Sequence, residues 1–236
     1  MKEDIKMAPQ YFYTFDMINK LNLNHKIRVV EHFGSTVYGT RTDKSDIDII
    51  AISDSAEDLY AIYQSKDYPE FSDYSRDVDL HIISTKTFQE LLDEHDIMAL
   101  ETYYQMHDSD KELFKFSLDL DKLRRKVSVV CSNSWSKARK KLDIPEEDDY
   151  LGLKSLFHSI RILSYGIDIA RDGKIDFKNI LINADAGEKT SCSNLWEQLQ
   201  YEYRQGCRWS EFKKNYTPLQ NSNATLFRLL APKILD

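Results

Sequence analysis

The sequence has few cysteines, no long apolar run and no excess of positive charge. Its three cysteines, Cys131, Cys192 and Cys207, form neither a close pair nor a metal-binding spacing, which predicts free thiols in a reducing compartment. No apolar stretch approaches the roughly 20 residues of a transmembrane helix, and the opening MKEDIKMAPQ lacks the apolar segment of a signal peptide. We therefore expect a soluble, cytoplasmic protein with no membrane partner.

The charge balance is acidic, with a formal net charge of −7 over 236 residues. General affinity for nucleic acid is therefore not expected, and any such partner must meet a local basic patch. The composition is 42% hydrophobic and 30% charged, which is ordinary for a globular protein and argues against wholesale disorder. This length suits one large domain or two small ones.

The strongest functional pattern lies between two strand-prone segments, Arg28–Phe33 and Ile47–Ile52. The glycines and polar residues between them predict a turn, a short helix and a return. Gly34 and Ser35 come where the first strand would pass into that helix, which leaves backbone N–H groups without intrahelical partners beside a hydroxyl. Because glycine has no Cβ, an anion can approach this backbone closely. The segment therefore predicts a phosphate-binding end.

Two carboxylates follow on the second strand. Asp46 and Asp48 flank Ile47, so the two-residue period of a strand turns both acids to one face and the isoleucine to the other. Like charges so close repel each other unless a cation neutralises them. Carboxylate oxygens suit Mg²⁺, which also binds the phosphate oxygens of a substrate.

A third carboxylate is expected on a neighbouring strand. The segment Ser75–Ser84, SRDVDLHIIS, alternates polar and apolar residues, and we choose Asp79 because it lies between two apolar residues. Asp77 is nearer the start of the strand and favours a solvated position. His81 shares this face and either touches substrate or has a structural role. Three acids would hold two metal ions about 4 Å apart.

The ordered set of Gly34-Ser35, Asp46-Ile47-Asp48 and Asp79 resembles the nucleotidyltransferase superfamily typified by DNA polymerase β. The resemblance implies that Gly34 and Ser35 hold the β- and γ-phosphates of a nucleoside triphosphate. It also implies that Asp46 and Asp48 ligate Mg²⁺, and that Asp79 helps to bind the catalytic metal and to activate the acceptor hydroxyl.

Among the small bacterial and phage members, the sequence resembles minimal nucleotidyltransferases, kanamycin nucleotidyltransferases and a group of predicted nucleotidyltransferases. The last group carries Gly-Ser-x-x-Tyr-Gly before Ser-Asp-x-Asp, which Tyr38, Gly39 and Ser45 match. This likeness covers residues 26–84. The fold that it implies is α+β, with a mixed β-sheet of the nucleotidyltransferase type and helices, followed by an α-helical half.

Local patterns outside the motifs complete the expected fold. Within residues 1–118, the nucleotidyltransferase catalytic domain, a helix is expected over 54–64 with Ser55 as its cap. Residues 119–236 form the expected α-helical domain, with a loop and one short helix over 175–193. Its predicted helices are Leu120–Leu142, Asp148–Asp172, Asn194–Tyr203 and Ser222–Leu230.

The helical half carries two basic features. Lys154, His158 and Arg161 share one helical stripe that resembles the cationic helix facing the nucleotide in the predicted nucleotidyltransferases, so Lys154 and Arg161 are expected to contact phosphate. The segment 120–141 holds eight basic residues against a single acid. They predict either a basic wall for a triphosphate or a polynucleotide, or a solvated helix face. These residues are Lys122, Arg124, Arg125, Lys126, Lys137, Arg139, Lys140 and Lys141.

The sequence therefore predicts a transferase that moves a nucleoside monophosphate from an NTP to a hydroxyl and releases pyrophosphate. The expected cofactor is Mg²⁺ as two ions, with Mn²⁺ as a possible substitute, and the NTP, such as ATP, is the co-substrate. Three acceptor classes stay open: RNA including tRNA ends, a small hydroxylated molecule, and a protein side chain. The alternative is a regulator of the same fold that binds a nucleotide or a partner without turnover. The sequence does not indicate an oligomeric state.

Overall fold

A computed structural model describes residues 9–43, 45–54, 58–143 and 149–231 of the chain. The chain divides into two compact units. The first runs up to Ser117 and the second begins at Leu118, with the short segment Tyr38–Thr40 also grouped with the second. The predicted domain boundary at 118/119 lies beside this division. Whether each half folds as an independent domain stays a prediction.

The first unit contains a four-stranded mixed sheet. Its strands are β1 (Ile27–His32), β2 (Ile47–Ser53), β3 (Tyr60–Gln64) and β4 (Val78–Ser84). They are ordered β1-β2-β4-β3, with β2 and β4 parallel and the two outer pairs antiparallel. This sheet, its helices and the helical second half confirm the predicted α+β class.

Helices accompany this sheet. The α-helices in the described residues up to Ser117 are α1 (Pro9–Lys20), α2 (Ser35–Tyr38), α3 (Thr85–Asp93), α4 (Ile97–Gln105) and α5 (Asp108–Lys111), and two short 3-10 helices lie at Ser65–Asp67 and Pro69–Phe71. One face of the sheet packs against Met17 of α1 through side chains that include Val30, Ile49 and Leu80, all buried. Because strand residues alternate between faces, their neighbours along β2 and β4 point to the other face. That alternation is what positions the candidate site.

The helix predicted over 54–64 is wrong for the part that the structure describes, since Tyr60–Gln64 is strand β3. The segment pairs antiparallel with β4, with Tyr60 opposite Ile83 and Gln64 opposite Asp79. Backbone pairing with an existing strand therefore outweighs a local sequence that also permits a helix. The predicted cap, Ser55, lies outside the described residues.

The second unit is mainly helical. Its elements are α6 (Leu120–Asp143), α7 (Asp149–Asp172), β5 (Asn179–Asn183), β6 (Glu188–Ser191), α8 (Cys192–Arg204) and α9 (Trp209–Leu230). Helix α7 is buried along most of its length and packs most extensively on α6. Glycine allows this close approach, because a Cβ on Gly166 would lie 2.9 Å from a methyl carbon of Val127. Strands β5 and β6 form an antiparallel hairpin.

The predictions for this half are mixed. The helices predicted over Leu120–Leu142, Asp148–Asp172 and Asn194–Tyr203 correspond to α6, α7 and α8, within two residues at each end described. The loop with a short helix predicted over 175–193 is wrong, because a β-hairpin occupies most of it. Helix α9 also begins well before the predicted start at Ser222. No helix in the described part of the chain is long and apolar enough to cross a membrane.

Candidate active site

Parallel pairing between β2 and β4 brings two of the predicted carboxylates together. Asp48 on β2 lies in register with Asp79 on β4, and the flanking pair is Ile47 with Val78. Residues in register on neighbouring strands point to the same face, so both acids leave the sheet on one side. Both side chains are half-buried, whereas Ile47 and Val78 are buried on the opposite face. The expected juxtaposition of these two acids is therefore present.

The Gly34 turn lies directly against Asp48. The Phe33 N–H donates to the Asp48 carbonyl oxygen at 3.1 Å, and the chain then turns at Gly34 with a φ of +67°. A Cβ on Gly34 would overlap a carboxylate oxygen of Asp48 and would lie 2.9 Å from its Cγ. Glycine is thus required both for the backbone conformation and for the approach to the carboxylate. Ser35 follows as the first residue of α2.

Asp79 has a hydrogen-bonding partner that the sequence analysis missed. The Gln64 side-chain amide donates to Asp79 Oδ2 at 3.0 Å from the neighbouring strand β3. This bond occupies one carboxylate oxygen and fixes the orientation of the group, which leaves Oδ1 for a ligand. Gln64 was missed because its segment was predicted to be a helix, in which no cross-strand neighbour exists.

Asp46 lies one residue before β2 and is exposed. The Ile47 N–H donates to the Asp77 carbonyl oxygen at 2.8 Å, so the parallel pairing continues to this point and sets Asp46 beside Asp77. Asp77, which the sequence analysis set aside as solvated, is also exposed. Four acids therefore lie at the N-terminal ends of β2 and β4. Asp46 and Asp77 are exposed, and Asp48 and Asp79 are half-buried.

These acids do not form a complete metal-binding cluster by themselves. Within residues 9–43, 45–54, 58–143 and 149–231, no three His, Cys, Asp or Glu side chains lie close enough together to hold a metal ion. Their chemistry nevertheless suits Mg²⁺, which prefers oxygen ligands and usually takes only one or two carboxylates, with water and substrate phosphate completing its shell. Asp48 and Asp79 fit that pattern. The metal assignment itself stays a prediction.

His81 lies on the same face as Asp79 but is engaged by its neighbours. Its ring packs edge to face against Phe33, with centroids 4.9 Å apart, and its Nδ1 lies 3.2 Å from the Tyr60 hydroxyl. Burial lowers the pKa of His81, although the Asp79 carboxylate opposes this shift. These contacts favour a structural role over direct contact with substrate.

The predicted phosphate contacts of the second unit have different environments. Arg161 is 2% exposed, with its guanidinium carbon 3.6 Å from the ring centroid of Tyr38 and 4.9 Å from that of Tyr165. Its Nη2 donates to His158 Nδ1 at 2.8 Å. Lys154 is exposed, with Nζ 5.0 Å from the Tyr150 ring. The three predicted residues therefore do not form one exposed stripe, and phosphate contact by Lys154 and Arg161 stays a prediction.

The basic segment is part of α6. Arg125, Lys137, Arg139 and Lys140 are exposed, and Arg125 forms an ion pair of 2.9 Å with Asp121, the one acid within 120–141. An exposed pair of this kind contributes little to stability. Both interpretations of the segment, a basic wall and a solvated face, are compatible with these positions.

Comparison with known families identifies the class of the protein. A model of the nucleotidyltransferase domain family matches residues 17–144, which is more than half of the 236 residues. The chain therefore belongs to the nucleotidyltransferase domain family, as the resemblance predicted. This match includes Gly34, Asp48 and Asp79, the residues that the first unit brings together.

The other comparisons add little. No curated protein matches the chain. Among solved structures, a nucleotidyltransferase-like protein from Exiguobacterium sibiricum 255-15 is similar at 10% identity and a TM-score of 0.32, over 92% of this chain and 73% of that one. At this TM-score the likeness carries no argument, and the family assignment rests on the family model alone.

Proposed function

We propose that this protein is a Mg²⁺-dependent nucleotidyltransferase that moves a nucleoside monophosphate from an NTP to a hydroxyl acceptor and releases pyrophosphate. The observation that carries the proposal is the placement of Asp48 in register with Asp79, directly against the turn at Gly34. A single face of the sheet then offers carboxylates beside a glycine turn, which is the arrangement that binding a metal-complexed triphosphate requires.

The phosphate end of the site would be the Gly34–Ser35 turn. The absence of a Cβ on Gly34 lets the Asp48 carboxylate pack directly against the turn, and Ser35 supplies a hydroxyl and an N–H at the start of α2. Both groups would bind oxygens of the β- and γ-phosphates. Binding there would place the α-phosphate toward the carboxylates, and positioning of this kind accounts for much of the catalysis of phosphoryl transfer.

The carboxylates that would hold divalent ions are Asp48 and Asp79, with Asp46 as the third ligand that the family resemblance implies. When bound, such ions neutralise the charge of the triphosphate and lower the pKa of an acceptor hydroxyl. Gln64 would keep the Asp79 carboxylate in one orientation, because it holds Oδ2 by a hydrogen bond of 3.0 Å. Mn²⁺ prefers similar oxygen ligands and would be expected to substitute for Mg²⁺.

The acceptor is proposed only as a hydroxyl group. RNA including tRNA ends, a small hydroxylated molecule and a protein side chain are all compatible with the carboxylate face. Incubation of the protein with α-labelled NTP and cell extract, followed by treatment with nuclease or protease, would distinguish these classes by which treatment removes the label.

A second candidate function is a regulator that binds a nucleotide without turnover. It is the alternative that the sequence leaves open, and it would use the same turn at Gly34 and the same carboxylates to bind a nucleotide. Against it, Asp48 and Asp79 have the in-register placement that the proposed transfer would use. Calorimetry with each NTP in Mg²⁺ and then in EDTA, combined with a pyrophosphate assay, separates the two functions.

The decisive test compares Asp48→Asn with Asp67→Asn, which removes one exposed carboxylate of the same unit from the short helical turn Ser65–Asp67 that follows β3. We expect Asp48→Asn to lower the rate of NMP transfer in Mg²⁺ on the order of 10²–10³-fold, the loss typical when a group that stabilises the transition state is removed. Asp67→Asn should leave the rate unchanged. Transfer by Asp48→Asn near the wild-type rate would contradict the proposed site.

A further inference from the structure

The first unit also contains a cavity of about 490 Å³ on the other face of the sheet. His32, at the end of β1, pairs with Ile49 of β2 and so shares the face of Ile49 rather than that of Asp48. Ile47, which also lines the cavity, points to this same face. The cavity is therefore distinct from the carboxylate face.

Cationic and hydrogen-bonding groups converge on this cavity. Its lining includes Tyr13 of α1, His32, Arg41 and Asp43 of the loop between α2 and β2, and Arg76 just before β4. Among the described lining residues the one carboxylate is that of Asp43, which already accepts from Arg76 Nη2 at 3.2 Å. Because Asp43 and Arg76 pair with each other, the guanidinium of Arg41 gives the described lining a net positive charge. In a protein with a net charge of −7, this local excess of positive charge is informative.

Two of these side chains retain unused hydrogen-bonding capacity. The guanidinium of Arg41 is exposed and forms no ion pair with the described residues. The Nδ1 atom of His32 is buried and has no hydrogen-bonding partner among them. The Nδ1 atom itself has almost no accessible surface, and the imidazole also has a hydrogen bond to the Asp48 backbone, so a rotation of the ring would be needed to bring Nδ1 to a ligand. Because a buried unsatisfied polar atom costs free energy, on the order of 1–3 kcal/mol, a ligand that gave this nitrogen a partner would be stabilising. The imidazole can donate or accept there, depending on its tautomer and charge.

We propose that this cavity binds a small molecule carrying a phosphate monoester. Phosphate oxygens match the paired N–H donors of a guanidinium, which favours phosphate over a diffuse anionic surface. A volume of about 490 Å³ exceeds the needs of inorganic phosphate and falls within the range of small-ligand pockets. The ligand would therefore carry its phosphate on a larger body, such as a sugar, with the ring of Tyr13 forming one wall.

Occupancy of this cavity would also act on the candidate active site, and this step rests on the proposed function. Arg76 Nη1 donates to the Thr42 carbonyl oxygen at 3.2 Å, and the Thr42 N–H donates to Ser45 Oγ at 3.0 Å. These bonds connect the cavity lining to the residue directly before Asp46. A bound phosphate that orders Arg41 and Arg76 would thus restrict the loop that carries this predicted metal ligand.

The binding test uses the full chain in EDTA, where metal-dependent triphosphate binding is abolished. Isothermal titration calorimetry would use inorganic phosphate and ribose 5-phosphate as probes, on wild type and on Arg41→Gln. We expect millimolar binding that is tighter for the sugar phosphate and about 10-fold weaker in Arg41→Gln, the effect of losing one charge-assisted hydrogen bond. Because Arg41 is exposed, the substitution should preserve the fold, which thermal melting would verify.

Two variants make the result specific. Arg28→Gln removes an exposed arginine outside the cavity and should not change binding, whereas an equal loss in both arginine variants would reveal diffuse attraction and overturn the proposal. Asp48→Asn should also keep phosphate binding, because Asp48 lies on the other face. Loss of binding in Asp48→Asn, or no binding by wild type, would equally overturn it. Since no step involves turnover, failure here is distinguishable from failure of the proposed transferase activity.

Discussion

Predicted site residues lie both on the paired strands β2 and β4 and on the helix α7, but their exposure differs between the two places. On the strands, register alone brings Asp48 beside Asp79, and both remain half-buried on one face. On the helix, Lys154 is exposed whereas Arg161, two turns further on, is 2% exposed and stacked on aromatic rings.

The difference follows from geometry. A strand has only two faces, so once one face is buried the alternation of residues fixes where every side chain points. A helix presents a continuous circumference, and how much of it is covered depends on which neighbours pack there. Helix α7 is covered on most sides by α6, α8, α9 and β5. Spacing along the sequence therefore predicts a strand site better than a helical one.

Among the variants that compare the strand pair with α7, the largest expected effect comes from disturbing the contact between Gly34 and Asp48. Gly34→Ala introduces a Cβ that overlaps the Asp48 carboxylate, in addition to the strain of a positive φ. Gly39→Ala is the matched control, because its φ of +74° is similar but nothing lies within 4 Å of the new Cβ. Both variants should lose about 1–2 kcal/mol of stability. NMP transfer should fall on the order of 10²-fold in Gly34→Ala alone, since a displaced catalytic group has about that effect.

Stopped assays with labelled NTP would measure transfer, and urea denaturation would measure the free energy of unfolding. If Gly39→Ala lost as much activity as Gly34→Ala, backbone strain in the turn would explain both results. The specific approach of Gly34 to Asp48 would then carry no functional meaning.

The second prediction addresses α7. Arg161→Lys keeps the charge but loses the planar stacking on Tyr38 and Tyr165 and the hydrogen bond to His158, so stability should fall by about 2 kcal/mol. Lys154→Met removes an exposed charge and should change stability by less than about 0.5 kcal/mol. Chemical denaturation of both variants would measure this contrast.

The same pair of variants tests the predicted phosphate contacts. A higher KM for NTP in Lys154→Met, with stability unchanged, would support a phosphate contact by Lys154. Equal destabilisation by both substitutions would contradict the environments described for α7.

Residues of the candidate site could be predicted where a pattern of neighbouring residues in the sequence has a direct structural meaning. Glycine at a turn and acids separated by one residue on a strand have a short-range physical meaning, and these features predicted Gly34, Asp48 and Asp79. Gln64 was not predictable, because its role exists only through pairing of β3 with β4. Asp77 was visible but was set aside, since its place beside Asp46 depends on the register of the parallel pair.

The errors in the fold have the same origin. The segment Tyr60–Gln64 permits a helix locally and becomes a strand because β4 offers it an edge. In the second unit, Ile180 and Leu181 are buried within a hairpin that follows a helix. Polar and apolar residues do not alternate regularly there, so the sequence did not predict a strand. Helix α9 begins at Trp209 and continues through Pro218, although a proline usually interrupts a helix, so local sequence does not indicate this early start.

The smallest expected effect is a difference in how pH changes stability. Burial and the charges of Arg161 and Lys137 lower the pKa of His158 to about 3, whereas burial and Asp110 raise the pKa of Glu31, on β1, to about 7. The unfolded chain binds a proton at His158 below its ordinary pKa of 6.5 and the folded chain does not, so stability falls as pH drops from 6.5 toward 3. For Glu31 the folded chain keeps the proton longer, so stability falls as pH rises from 4.5 through 7.

His158→Asn and Glu31→Gln should therefore flatten opposite sides of the stability profile. Asparagine retains an acceptor for Arg161, so His158→Asn should be no more stable than wild type at neutral pH. As the pH falls, wild type should lose stability and the variant should not, so the stability of the variant should rise relative to that of wild type. The stability of Glu31→Gln should rise relative to that of wild type from pH 5 to pH 8. Urea denaturation across this range would measure both slopes. If the stability of wild type and of both variants changed with pH in the same way, burial would not shift the pKa of either His158 or Glu31. The difference between helix α7 and the strands would then rest on packing alone.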